Sequence, residues 1–336
     1  MSKYNHIQSA HCENGVTTGL LKHHGVEFMT EPLAFGLGSG LFYIHIPFLK
    51  INNGPAIAFR TMPGAIFSRT CKSLGIKIKR VKFKDSQTAQ NYLDEKIENN
   101  TPVGCQVGVF HLTYFPKEYR FHFNAHNLIV FGKENSKYQV SDPVMENISE
   151  ISAYDLDRAR FAKGPLAPKG HLYYPEGTIQ VSKEVLKKAI VKGINRNVRD
   201  MLYIPGNIAG VKGIKYTAKK IRVWKDKLGV KTASSYLGQI VRMQEEIGTG
   251  GGGFRFIYAA FLQQAAGILE DDRLLEASNL MSKSGDLWRE SAMKMASIFK
   301  GRNQDQKAFD EIADIYIQIY KTEKEAFTLL KKLKLS

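Results

Sequence analysis

Acidic residues are the scarce class in this chain: 32 Asp and Glu stand against 48 Lys and Arg in 336 residues, a formal net charge of +16. What that scarcity excludes is an electrostatically neutral surface, and it favours an anionic partner such as nucleic acid, a membrane surface or an acidic protein. Cysteine is scarcer still. Cys12, Cys71 and Cys105 lie far apart, with no CxxC or Cys/His ligand spacing, so neither a disulfide framework nor a zinc site is expected, and no other metal. No uninterrupted apolar run approaches the roughly 20 residues of a spanning helix. The opening stretch MSKYNHIQSAHCENG lacks the apolar segment of a secretory signal, and a cytoplasmic protein without membrane contact is the expectation. Helix-turn-helix, finger and aromatic RNA-reading motifs are also missing, which disfavours nucleic acid.

What is present is ordinary for a folded protein. Hydrophobic residues make up 43% and aromatics 11%, and the length suffices for a large core and two domains. Hydrophobic patterning predicts a helix from Cys12 to His24, stopped by Gly25, then a Gly-rich bend over residues 31–40 that leads into a strand at 41–46. Helices at 63–74 and 85–99 alternate with strands at 76–83, 103–112, 121–132 and 138–142, and a short helix opens at Ser152. This is an α+β pattern. After a Pro- and Gly-containing stretch at 164–177 the chain reads as helix after helix: 183–203, 209–228, 231–247, 254–269, 272–283, 286–300 and 305–333. The expected domains are therefore residues 1–175, α+β, and 180–336, all-α.

Within the first domain Cys12 stands at a predicted helix start. A thiol becomes a good nucleophile as thiolate, which a helix N-terminus and a neighbouring imidazole both favour. The imidazole needs a third group to hold its tautomer and orientation. A predicted hairpin offers both: His126 before one strand and Asp142 at the end of the next. If the strands pair symmetrically about residue 134, the two lie directly opposite on one face, with Cβ atoms roughly 5 Å apart. A one-residue bulge in the Lys133–Lys137 turn would spoil that register. Gly15 and Gly19, four apart, give the Cys12 helix a smooth stripe for close packing. His122 shares strand parity with His126 but lies about 13 Å along an extended chain.

Two features of the helical half invite binding. Residues 183–231 carry fourteen Lys or Arg against Glu184, Asp200 and Asp226. Residues 248–253 are nearly bare backbone opening a helix, so their amides, with Arg255, are candidates to receive an anion.

With these motifs assembled, the chain resembles the butirosin-biosynthesis acyltransferase family, whose N-terminal domain is papain-like and related to the bacteriocin-processing double-glycine peptidases. The likeness is carried by His11-Cys12-Glu13, Leu20-Leu21, His24-Gly25, Glu31, Phe35-Gly36-Leu37-Gly38, His126 and Asp142-Pro143. In the helical half it is carried by residues 250–253, Phe254-Arg255 and Tyr258-x-x-Phe261-Leu262. The resemblance implies a papain-like cysteine peptidase/acyltransferase domain followed by an all-α domain that helps hold substrate. It implies that Cys12 forms an acyl-enzyme, that His126 moves protons and that Asp142 orients it. Gln8, four residues before Cys12, is then the candidate side-chain donor to the oxyanion beside the Cys12 N–H. Gly252, Gly253, Arg255 and Tyr258 are the candidate substrate-binding residues. The implied reaction takes an acyl group from a carrier-protein thioester to a small-molecule amine; the alternative is a cysteine peptidase or amidohydrolase using the same three residues. No cofactor is expected on the chain itself, but phosphopantetheine on an acidic acyl carrier protein is the expected partner group. The basic block is the expected dock, beside the Cys12 cleft with residues 250–255 in its wall.

Overall fold

Two helices come before the first strand of this protein. Residues 4–51, 54–246 and 248–333 are described by a computed structural model. Helix α1 (Cys12–His23) is followed by α2 (Glu31–Leu37), the hairpin β1 (Leu41–Ile51) and β2 (Gly54–Arg60), α3 (Ala65–Ser73), β3 (Ile78–Val81) and α4 (Ser86–Glu98). Next come β4 (Val103–Val107), β5 (His126–Glu134), β6 (Lys137–Ser141), β7 (Ser149–Ser152), α5 (Ala153–Arg160) and β8 (Leu172–Pro175). The rest is helical: α6 (Lys183–Leu202), α7 (Gly210–Leu228), α8 (Val230–Val241), α9 (Arg255–Leu269), α10 (Arg273–Phe299) and α11 (Gln306–Lys332). The fold is mixed α+β with a helical C-terminal region. Among the described residues no helix is long and apolar enough to cross a membrane.

The chain separates into two compact units: residues 1–34 with 66–183, and residues 35–65 with 184–336. The expected boundary near 175–180 thus falls at about 183, but the second unit is not all-α. It recruits the β1–β2 hairpin because the hairpin's inner residues pair with helices: Tyr43 Oη and His45 Nδ1 meet Thr217 Oγ1 at 2.7 and 2.8 Å. The Asn197 amide donates to the Leu41 carbonyl at 2.7 Å. The supposed Gly-rich bend is also helical, as α2. Its Gly36 is needed for close approach, since a Cβ there would sit 2.2 Å from the Phe261 ring. Two expected helices, 272–283 and 286–300, are one: Gly285 lies inside α10, where propensity alone suggested a break.

In the first unit six antiparallel strands run in the order β3-β8-β4-β5-β6-β7. β8, inside the Pro- and Gly-containing stretch at 164–177, is a buried interior strand between β3 and β4. Four residues flanked by Gly and Pro are too few to show a period. One face of the sheet, through Val103, Cys105, Leu128, Val130, Tyr138 and Val140, packs on Leu93 of α4 and Leu156 of α5. α1 lies against β5, where a Cβ at Gly19 would stand 3.0 Å from Ile129 Cδ1 and 2.5 Å from Tyr4 Oη. The glycine stripe does what its spacing implied.

Candidate active site

The position of Cys12 is built from its neighbours. His11 caps α1 from extended backbone, its Nδ1 accepting the Asn14 N–H at 3.3 Å. The Glu31 carboxylate accepts the N–H groups of Ala10 and His11 at 3.0 and 2.8 Å, fixing the entry segment. Glu13 points elsewhere: it is buried and its Oε1 accepts the Ile66 N–H at 2.9 Å, at the start of α3. Both sequence neighbours of Cys12 are therefore spent on holding the helix. A Cβ on Gly15 would meet Pro143 Cβ at 2.4 Å, so glycine lets α1 press against the residue next to Asp142. Ser9 N–H adds a 2.7 Å bond to the Pro143 carbonyl.

His126 opens β5, and its Nε2 bonds Asp142 Oδ2 at 2.7 Å. The same imidazole hydrogen-bonds the Cys12 side chain, and with Nε2 on Asp142 the nitrogen left for sulfur is Nδ1. Asp142 is fully buried, and Tyr114 Oη donates to its Oδ2 at 2.7 Å while the Val144 N–H donates to Oδ1 at 3.2 Å. Phe115 sets its ring edge-on to His126, centroids 5.7 Å apart. Burial would lower the His126 pKa, but the charges of Asp142 and Cys12 and the hydrogen bonds to both outweigh it and raise it to about 10. The imidazole is therefore held as imidazolium at neutral pH. An imidazolium in contact with the sulfur favours thiolate by the same coupling energy. Cys71 differs: burial pushes its thiol up to about 12.

The register that joins His126 to Asp142 is not the symmetric one. The turn is Asn135-Ser136, both at positive φ (48° and 64°), as a two-residue hairpin loop requires. It pairs Glu134 with Lys137 and Gly132 with Gln139, which extrapolated would set Asp142 opposite Ile129, on the face away from His126. Instead a register shift at Phe131 pairs Val130 with Val140 and Ile129 with Ser141. One residue past β6, Asp142 then falls opposite Leu128, on the His126 face and diagonal to it. This bulge lies in β5, outside the Lys133–Lys137 turn where a bulge was expected to spoil the pairing, and it returns Asp142 to the His126 face.

Asn127 was not singled out by its sequence. It is 3% exposed; its Nδ2 lies 3.9 Å from Cys12 Sγ and also donates to the Ala125 carbonyl at 3.2 Å. Tyr173 Oη donates to its Oδ1 at 2.8 Å, which fixes which end of the amide faces sulfur. Tyr173 in turn rides over Gly104, where a Cβ would stand 2.5 Å from the ring. A pair such as Tyr173 and Asn127, 46 residues apart, leaves no local signal. Gln8 is exposed on the segment entering α1. His122 is not on a strand; it stacks on Phe110, centroids 4.3 Å apart.

The candidate binding residues of the second unit are core instead. Arg255 is fully buried, with Nε and Nη2 on Glu323 at 2.8 and 3.0 Å and Nη1 on the Gly253 carbonyl at 2.7 Å. Ser284 and Trp288 complete the Glu323 shell at 2.8 Å each. Tyr258 has no exposed surface, and Gly252 and Gly253 are buried. The anion their loop attracts is the chain's own: Glu245 accepts the Gly252 N–H through both oxygens, at 3.1 and 3.2 Å. Bare backbone needed a carboxylate, and the fold supplies one.

Known proteins share parts of this chain. Residues 11–143 match the family described as butirosin biosynthesis protein H, N-terminal, and residues 154–330 match a domain of unknown function (DUF4872). No curated protein matches. A solved C39-like peptidase from Bacillus anthracis aligns at 12% identity and TM-score 0.37, over 54% of this chain and 98% of its own. The chain belongs to the DUF4872 family through its helical half, and its Cys12, His126 and Asp142 stand in a region matching the N-terminal domain of butirosin biosynthesis protein H.

Proposed function

We propose that the protein is a papain-like cysteine acyltransferase that takes an acyl group from a carrier-protein thioester and passes it to a small-molecule amine. The observation that carries this reading is the buried, charge-paired Cys12–His126–Asp142 arrangement at the start of α1. Thiolate attack on the thioester carbonyl forms the Cys12 Sγ–C bond and an oxyanion, which the Cys12 N–H and Gln8 receive. Collapse breaks the carbon–sulfur bond to the carrier, whose thiolate takes the proton of the His126 imidazolium. Neutral His126 next removes a proton from the amine as it attacks the acyl-enzyme. Expulsion of the Cys12 thiolate restores the ion pair. Asp142 holds Nε2 throughout and so keeps Nδ1 aimed at sulfur. Support for transfer comes from the biosynthetic family match and from the basic residues 183–231, which suit an acidic carrier bearing phosphopantetheine. A cytoplasmic setting, where thiols stay reduced, fits three free cysteines.

Intact mass spectrometry after incubation with acyl thioesters tests the reading. An acyl adduct that is absent from Cys12→Ala, and that an added amine discharges as amide, is the expected result. Discharge as free acid whatever amine is present would make the enzyme a hydrolase. No adduct from any thioester would remove the covalent mechanism.

A further inference from the structure

The loop between β4 and β5 has two sides. Tyr114 and Phe115 touch Asp142 and His126, while the residues around them border a separate cavity of about 310 Å³. Three cations line it: Lys117, Arg120 and, from α5, Arg158. Asp155 is the one carboxylate among the lining residues, and it already accepts from Ser152 Oγ at 3.0 Å and Thr113 Oγ1 at 3.3 Å, with Arg158 Nη1 at 4.0 Å. Positive charge therefore remains in excess. The imidazole of His111, also on the wall, registers that field: burial first, then the charges of Arg158 and His122, lower its pKa, against a smaller opposite pull from Asp155.

The cations are oriented as well as numerous. Arg120 donates through Nε to the Phe115 carbonyl at 2.7 Å and through Nη2 to the Thr113 carbonyl at 2.5 Å. Those two bonds fix the guanidinium plane at little further entropic cost to a ligand, and they tie it to the backbone flanking Tyr114. Phe110, 42% exposed and stacked on His122, gives the rim an apolar, planar surface. Excess charge, a fixed guanidinium and an aromatic rim suit an organic phosphate better than a bare ion or a carboxylate.

We propose that this cavity binds a phosphate ester, its dianion among Lys117, Arg120 and Arg158 and its organic part against Phe110. For the acyltransferase reading, on which this corollary rests, the acyl donor or acceptor then carries a phosphate held by the loop that positions the catalytic pair.

The experiment uses the full chain with Cys12→Ala, so that binding is read without any chemistry. The ring C–H resonances of His111 and His122 are followed by NMR during titration with phenyl phosphate, inorganic phosphate, benzoate and chloride at matched ionic strength. Saturable shifts with phenyl phosphate, weaker ones with inorganic phosphate and none with benzoate or chloride are expected. Lys117→Glu should weaken phenyl phosphate binding about tenfold or more. Lys117 is exposed on a short 3-10 turn, so an unchanged melting temperature serves as the folding control. No saturable shift, equal response to benzoate, or unchanged affinity in Lys117→Glu would overturn the site. Phenyl phosphate binding no tighter than inorganic phosphate would overturn the ester assignment and leave a free-anion site.

Discussion

At the scale of single residues, the chemistry turns on how strongly His126 and Cys12 hold each other's charge. Because the His126 pKa is raised to about 10, the ring keeps its proton throughout the neutral range and loses it only as pH climbs towards that value. A thiolate paired with it should alkylate with iodoacetamide at a nearly level rate from about pH 6 to about pH 8, where an isolated thiol would quicken about tenfold per unit. Cys12 should also react far faster than buried Cys71 or Cys105, and His126→Ala should restore the steep slope. Equal labelling of all three cysteines in the folded protein would refute the pairing. Asn127 belongs to the same test. Its 3.9 Å contact to sulfur is a weak one, so Asn127→Leu should cost the thiolate about 1 kcal/mol, moving the half-maximal alkylation rate about 0.7 units higher in pH while leaving the plateau rate near pH 7 little changed. A rate unchanged in that variant, with pH profile intact, would make Asn127 a packing residue.

At the scale of elements, two devices bring the groups together. The five residues of β5 from Val130 to Glu134 face the four of β6 from Lys137 to Val140, and the extra one at Phe131 is absorbed as the bulge that keeps His126 and Asp142 on one face. The other is the contact of Gly15 with Pro143. Gly15→Ala drives a methyl into Pro143 and should cost about 1–3 kcal/mol of stability as overpacking. It should also slow Cys12 alkylation, because the helix that carries the sulfur must move away from Asp142. Gly267→Ala is the contrast. Nothing lies within 4 Å of a Cβ there, in the last turn of α9, so chemical denaturation should show a gain of up to about 1 kcal/mol and no change in Cys12 reactivity. Equal destabilisation by both substitutions would show that helix glycines matter here for reasons other than space.

At the scale of the whole molecule, the excess charge sits on helices of the second unit. Lys188, Lys192, Arg196 and Arg199 line a groove of about 500 Å³ along α6, and Lys212, Lys215 and Lys219 are exposed on α7. Steering of an acidic carrier by such a field raises the encounter rate and fades with salt, over a Debye length of about 8 Å at physiological ionic strength. If the proposed transfer reaction is the protein's, changing any three of Lys212, Lys215, Lys219 and Lys220 to Glu should slow acyl loading from a carrier while sparing loading from a small thioester. Equal loss with both donors would indicate damaged folding or chemistry, and no loss with either would make the block ordinary solvated surface.

Much of the order of helices and strands, though not α2, β2, β7, β8 or the continuity of α10, was legible in the sequence, as were the shift from α+β to helical after residue 183 and the candidacy of Cys12, His126 and Asp142. Each rests on local cues: Gly25 after a helix, Asp85 and Ser152 as caps, a thiol at a helix start. Local patterns report periodicity and capping because those interactions span only a few residues. The tertiary structure alone decided what depends on distant partners. It made β8 an interior strand, drew residues 35–65 to the helical unit and gave Asp142 its Tyr114 donor. It also set Asn127 under the sulfur through Tyr173, and answered the Gly252 amide with Glu245 and the Arg255 fork with Glu323. Arg255 and Gly252 looked like a ligand site because the sequence shows a donor but not what answers it. In a buried setting every such donor must be answered, and the acceptor that does so for Arg255 stands 68 residues away.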